Sequence, residues 1–243
     1  MIELDAETWR ALRRASTASL TSELLLEGLR NTFLGGVQPL RRPARMVGSA
    51  LTLRYIPARE DLGMRVDYDN RRDVQRLAVE RVEEDQVIVI DARGCVDSAS
   101  FGHILATRIM RRGAAGLVTD GALRDAGSIA RLDLPAYAAG THATTSSVRH
   151  HPADMNVPIG CAGVAVLPGD ILVGDDEGVV CIPRGLAATV ARRAVARDDL
   201  EEYLWQRIDG GESIVDVYPP GNEVLDAYTA RRDRDGHGGS TRG

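Results

Sequence analysis

The sequence contains no lysine, so all 30 basic residues among its 243 are arginine. Schiff-base aldolases, pyridoxal-phosphate enzymes and P-loop NTPases each need a lysine amine, so composition excludes them. If the protein stabilises a carbanion, a metal ion is the electron sink to expect. Aromatic residues are only 4%, which leaves the core to Ala, Val, Leu and Ile. The three cysteines, Cys95, Cys161 and Cys181, form no CxxC and are odd in number; they point to a reduced, cytoplasmic protein. With a net charge of -5 and no long basic stripe, the chain offers nucleic acid no footprint. No apolar run reaches the length of a signal peptide or a membrane span, so no membrane partner is expected.

What is present is an alternation of helical and strand-like runs. The spacing predicts a helix over 8–31, a Gly/Pro loop, and a strand at "SALTLRYI". The charged stretch "PAREDLGMRVDYDNRRD" reads as an exposed loop, "VQRLAVERVEED" as a helix and "QVIVIDARG" as a buried strand. Over 98–113 a helix is expected, with Phe101, Ile104, Leu105 and Ile109 on one face and Gly113 as its stop. "AAGLVTDG" is the next buried strand, which completes a central βαβ unit with parallel strands. A short helix near 128–131, a strand at "LPAYAAG" and a polar loop, "THATTSSVRHHPADMN", follow. Short β-runs broken by Pro168-Gly169-Asp170 and Asp175-Asp176-Glu177-Gly178 then suggest hairpins. The chain ends in a long C-terminal helix, "LAATVARRAVARDDLEEYLWQRI", and a tail from Arg231 with almost nothing to bury. The expectation is one α/β domain with a mixed sheet over 1–230 and a disordered tail over 231–243.

Arg124 and Asp125 stand side by side just past a buried strand, where open α/β sheets bind ligands. Arginine presents a planar fork to a carboxylate, and aspartate is a hard oxygen ligand for Mg²⁺ or Mn²⁺. Together they suit the two ends of an α-keto acid; an ordinary surface salt bridge is the alternative. Gly102 opens the helix of the preceding βα loop. The free N–H groups of Gly102-His103-Ile104-Leu105 would reach the same carboxylate, unless the glycine serves close packing alone. His142, His150 and His151 lack zinc spacing and read as loop residues. Asp175, Asp176 and Glu177, followed by Gly178, read as a hairpin turn.

"FGHILATRIMRRGAAGLVTDGALRD" resembles the RraA-like family, also described as 4-hydroxy-4-methyl-2-oxoglutarate aldolases. "VGSALTLRY" and "VAVLPGDILVGDDEGVVCIP" look like its flanking segments, and the resemblance covers about residues 12–218. It implies a swivelling-type α/β fold, a homotrimer or hexamer, and a divalent-metal pyruvate aldolase or oxaloacetate decarboxylase acting on small 2-oxo acids. The pyruvate site becomes Gly102, His103, Ile104, Leu105 and Arg124, and Asp125 becomes the ligand of Mg²⁺ or Mn²⁺. A neighbouring subunit would supply an acid, Glu201 or Glu202. The chain departs from the family at His103, where the aldolases carry an acid that assists proton transfer. A histidine serves that purpose near neutral pH or simply faces solvent at a helix start. Other members are described as regulators that inhibit an endoribonuclease, the alternative role.

Overall fold

A computed structural model describes residues 3–59, 61 and 69–237. The helical run at the N-terminus is two helices, α1 (Ala6–Arg14) and α2 (Thr17–Leu26). Ser16 divides them because its hydroxyl accepts from the Ser19 amide and caps α2. Then come β1 (Gln38–Pro39), β2 (Met46–Pro57), α3 (Val74–Arg81), β3 (Gln86–Asp91), β4 (Ala99–Phe101), α4 (His103–Arg111), β5 (Gly116–Leu123), α5 (Ala126–Ile129) and β6 (Ala136–Thr141). The second half contributes β7 (His150–Met155), β8 (Ile159–Cys161), β9 (Val164–Val166), β10 (Ile171–Gly174), β11 (Val179–Ile182), α6 (Ala187–Asp209), α7 (Ile214–Val217) and α8 (Asn222–His237).

The main sheet runs β1-β6-β5-β3-β2-β10-β11, with β4 added to β5 and β7 to β2. The β2, β3, β5 and β6 strands are mutually parallel, and β1, β7, β10 and β11 attach antiparallel. All eight residues of β5 are buried, as a strand covered on both faces requires. The segment before β1 ties both sheet edges together: Phe33 bridges to Val180 of β11, while Gln38 pairs with Ala138 of β6. The mixed sheet is therefore nearly closed. Apolar clusters fill it on either side. Ile88, Ile90, Ile109 and Leu117 pack beneath α3 and α4, and Leu12, Leu20, Leu24 and Val190 pack α1, α2 and α6 against β10 and β11.

The mixed sheet, the central βαβ unit and the long helix α6 agree with the expectation. Besides the division of the N-terminal helix, three local readings change. The polar loop at 141–156 contains β7, which pairs antiparallel with β2 and buries His150 to 3% exposure; polar residues on an added strand conceal its period. The helix expected from residue 98 begins only at His103, because Ala99–Phe101 pair with β5 as a strand too short to show a period. Ile104 consequently lies outside the buried face and is 82% exposed. Beyond α6 the chain adds α7 and α8, and the tail expected from Arg231 starts inside α8, where the Arg231 guanidinium lies over the Tyr203 ring. Residues 238–243 lie outside the described residues, as does most of the charged loop, at 60 and 62–68.

Candidate active site

The carboxyl ends of β4 and β5 place the candidate residues in one cleft of about 950 Å³. The β4 strand ends at Phe101, whose carbonyl accepts the Arg124 amide at 2.9 Å. That bond sets the start of α4 beside the turn that follows β5. Gly102 is the N-cap of α4, and no side chain caps the helix. The first-turn amides of His103, Ile104 and Leu105 are thus free of a side-chain acceptor at the positive end of a nine-residue helix. A β-carbon at Gly102 would stand 3.6 Å from Asp125 Oδ2 and 3.9 Å from the Arg124 β-carbon, so the three positions converge.

Asp125 has φ +58, a left-handed conformation that few residues other than glycine adopt and that Asp tolerates. That geometry turns the chain into α5 and presents the carboxylate to the cleft. Arg124 Nε lies 3.8 Å from Asp125 Oδ1, and both side chains are about half exposed, at 51% and 48%. Neither forms a tight closed pair, so each retains capacity for a ligand. The His103 ring leans along its own helix, with Nε2 3.4 Å from Thr107 Oγ1.

The motif also contains a carboxylate that lies outside the cleft. Asp120, 5% exposed, accepts the amides of Ala92 (2.6 Å), Gly94 (3.0 Å) and Ala162 (3.3 Å). Burial pushes its pKa above the usual carboxylate value, against those three amides, which lower it. Gly121 lets the same loop approach, since a β-carbon there would meet the Ala92 β-carbon at 2.5 Å. Asp120 and Gly121 therefore seat the loop that leads into β4 and Gly102.

The far wall of the cleft is α3, which the sequence did not single out. Gln75 Nε2 donates to the Ser100 carbonyl at 2.9 Å and also to Tyr55 Oη, tying α3 to β4. Arg108 of α4 forks onto Glu80 of α3, Nε to Oε1 at 2.9 Å and Nη2 to Oε2 at 2.7 Å. The guanidinium holds the Glu80 carboxyl below its ordinary pKa. No local pattern announces these partners, because they are far apart in sequence and only the β3–β4–α4 crossover brings them together.

Glu201 stands apart. It lies on α6, outside the cleft, with Arg197 Nη1 3.9 Å from its Oε1. Its neighbour Glu202 accepts from Gln206 Nε2 on the same helix. His142 and His151 are not in the cleft, and the buried His150 packs on Tyr55. Cys161 and Cys181 are buried free thiols whose pKa values burial raises, as inert core residues require. Among the described residues, no group of three or more His, Cys, Asp or Glu could hold a metal ion, and no helix is long and apolar enough to cross a membrane.

A family model described as "RraA-like: Aldolase/RraA" matches residues 17–181, a span that holds the whole cleft. A protein of Halalkalibacterium halodurans, provisionally named 4-hydroxy-4-methyl-2-oxoglutarate aldolase, is 32% identical over 193 residues, 79% of this chain and 85% of its own. DlpA of Legionella pneumophila is 29% identical over 203 residues, covering 84% of this chain; the match spans only 32% of the length of DlpA. Among solved structures, Streptomyces coelicolor RraAS2, described as an unusual member of the RNase ES inhibitor RraA protein family, superimposes with a TM-score of 0.74 at 31% identity, over 84% of this chain and 98% of that one.

Proposed function

Because the chain belongs to the RraA-like family, whose members include both aldolases and regulators, we propose that it is a lyase that breaks a C–C bond of a pyruvate-derived 2-oxo acid. The observation that carries this reading is the convergence of Gly102, Arg124 and Asp125 in one cleft. Arg124 clamps the substrate carboxylate, and the amides of His103, Ile104 and Leu105 share its charge. Asp125 would hold a divalent cation, Mg²⁺ or Mn²⁺. One hard carboxylate on an open cleft suits such an ion, which takes one or two carboxylates and completes its shell with water and substrate oxygen. Bound there, the cation supplies Lewis-acid stabilisation of the 2-oxo oxygen.

His103 is the proton-transfer group in this reading. In aldol cleavage it takes the proton of the 4-hydroxyl as the C3–C4 bond breaks. The electron pair of that bond becomes the pyruvate enolate, the former C4 leaves as a carbonyl, and a proton returned to C3 completes pyruvate. Decarboxylation of oxaloacetate yields the same enolate with no hydroxyl proton to remove, so it depends less on His103. In a ring-shaped trimer or hexamer, a neighbouring subunit would bring Glu201 or Glu202 to the cleft, within a closed cyclic assembly.

Pyruvate release from 4-hydroxy-2-oxo acids and from oxaloacetate, with Mg²⁺ and with a chelator, tests the proposal. Chelator-sensitive release of pyruvate is expected; none from any substrate would refute the lyase. The likeness to RraAS2 favours a second reading, a protein that binds and inhibits an endoribonuclease. Inhibition of such a nuclease by the Asp125→Asn variant, without pyruvate release by the native protein, would select it.

A further inference from the structure

A neutral imidazole has one ring nitrogen with a proton and one without, so a histidine that moves a proton needs a partner to set which is which. A carboxylate at the same position has no such need. His103 is the first residue of α4 and lines the cleft. Thr107 stands one turn further along the helix, behind the ring and outside the cleft lining. Residues four apart on a helix are neighbours, so the threonine hydroxyl meets both the ring and the backbone of His103.

The Thr107 hydroxyl has a single proton. It donates that proton to the His103 carbonyl, with Oγ1 2.9 Å from the oxygen, as helical threonines do toward the residue one turn back. What Oγ1 then offers the ring is a lone pair, and His103 Nε2 lies 3.4 Å from it. Toward an oxygen whose only proton is committed, Nε2 acts as a donor. The neutral ring therefore carries its proton on Nε2, and Nδ1 is left as the basic nitrogen. At 3.4 Å the contact is long for a neutral hydrogen bond. It strengthens once Nδ1 takes up a proton, because Nε2–H then belongs to a cation and the bond becomes charge-assisted.

Resting on the reading of His103 as the proton-transfer group, we propose that Thr107 is a positioning residue for aldol cleavage, which holds the His103 proton on Nε2 and so makes Nδ1 the base. Nδ1 takes the 4-hydroxyl proton as the C3–C4 bond breaks. The O–H electron pair forms the leaving carbonyl, and the C3–C4 pair becomes the enolate. The proton on Nδ1 then passes to C3, which completes pyruvate and restores the neutral ring. Oxaloacetate has no hydroxyl proton to give up, so its decarboxylation does not call on the tautomer.

Thr107→Val, which keeps the branched shape and removes the hydroxyl, tests this in the full chain with Mg²⁺. For a 4-hydroxy-2-oxo acid, kcat should fall between about twofold and tenfold, the range one neutral hydrogen bond supplies, with KM within about twofold of native. Decarboxylation of oxaloacetate should fall less, so the ratio of the two rates drops, and Thr107→Ser should bring that ratio back. In the His103→Ala background, adding Thr107→Val should leave the aldol kcat within about twofold, because the ring it acts on is gone. Nitrogen-15 NMR of the native protein, with the His103 signals identified by their loss in His103→Ala, should find the neutral ring protonated at Nε2. A neutral ring protonated at Nδ1 overturns the proposal. So does an aldol kcat of Thr107→Val within about twofold of native, or a fall of equal size in both activities, which marks a merely structural role. If His103→Ala leaves aldol cleavage unchanged, the reading of His103 itself fails and this proposal falls with it.

Discussion

Asp120→Ala isolates the part of the motif that holds the site rather than touching the ligand. The substitution strips the acceptor from three backbone amides at once, those of Ala92, Gly94 and Ala162. The Ala92 amide is buried, and a buried donor left without an acceptor costs about 1–3 kcal/mol. Gly94 is exposed and Ala162 half-buried, so water replaces much of what those two lose. Removing a carboxylate that burial disfavours offsets part of the cost. The expected net loss at neutral pH is about 2–3 kcal/mol, which lowers Tm by about 4–12 °C in a chain of this size.

The sign of the pH dependence follows from the raised pKa. In the folded state Asp120 binds its proton more tightly than in the unfolded chain. Its contribution to stability is therefore complete below the unfolded carboxylate pKa and is lost as pH rises through the raised folded value. Alanine has no such dependence, so the Tm gap between native and variant should narrow from acid to neutral pH. Asp120→Asn, which keeps one oxygen for Ala92, should lose less than the alanine variant. Thermal melts followed by circular dichroism at mildly acidic and neutral pH give the answer. A variant Tm within about 2 °C of native at neutral pH, or a gap that widens as pH rises, would refute the argument.

Arg124→Lys keeps the charge and loses the fork, so kcat/KM for pyruvate release should fall at least about tenfold; steady-state kinetics showing less than about a twofold change would mean that Arg124 does not face the substrate. Asp125→Asn should abolish metal-dependent turnover and weaken Mg²⁺ binding by calorimetry, since a neutral amide is a poorer ligand for a hard cation, and full turnover in that variant would remove Asp125 from the cation site. His103→Ala should lower aldol cleavage while largely sparing oxaloacetate decarboxylation, and His103→Asp should raise aldol cleavage more than decarboxylation; parallel assays in which His103→Ala changes neither rate would make the ring a bystander. Light scattering at micromolar concentration should report a trimer or a hexamer, and a monomeric mass would contradict any contribution of Glu201 or Glu202 from a neighbouring subunit.

Much of the architecture is legible in the sequence because it is local. The short runs "QVIVID" and "GLVTDGAL" are mostly apolar and read as buried strands, and the leucine- and alanine-rich stretch before Asp209 is a helix by spacing alone. The Gly102 and Arg124–Asp125 positions could be paired from sequence because a βαβ crossover places consecutive strand ends side by side. Elements whose residues carry no period of their own were decided by tertiary structure. The β4 strand exists because β5 offers it an edge, and β7 because β2 runs on past β10 to Pro57. Composition and spacing also cannot specify long-range partners. The Glu80–Arg108 fork, the Gln75–Ser100 tie and the seating of the β3–β4 loop on Asp120 join residues from 25 to 28 positions apart, or 42 for Ala162. A side chain's partner across such distances is set by how the sheet closes and which helix covers which strand end, and the linear pattern of polar and apolar residues does not encode that. The sequence determined which chemistry the chain carries, and the packing of α3 against β4 determined what shares the cleft with it.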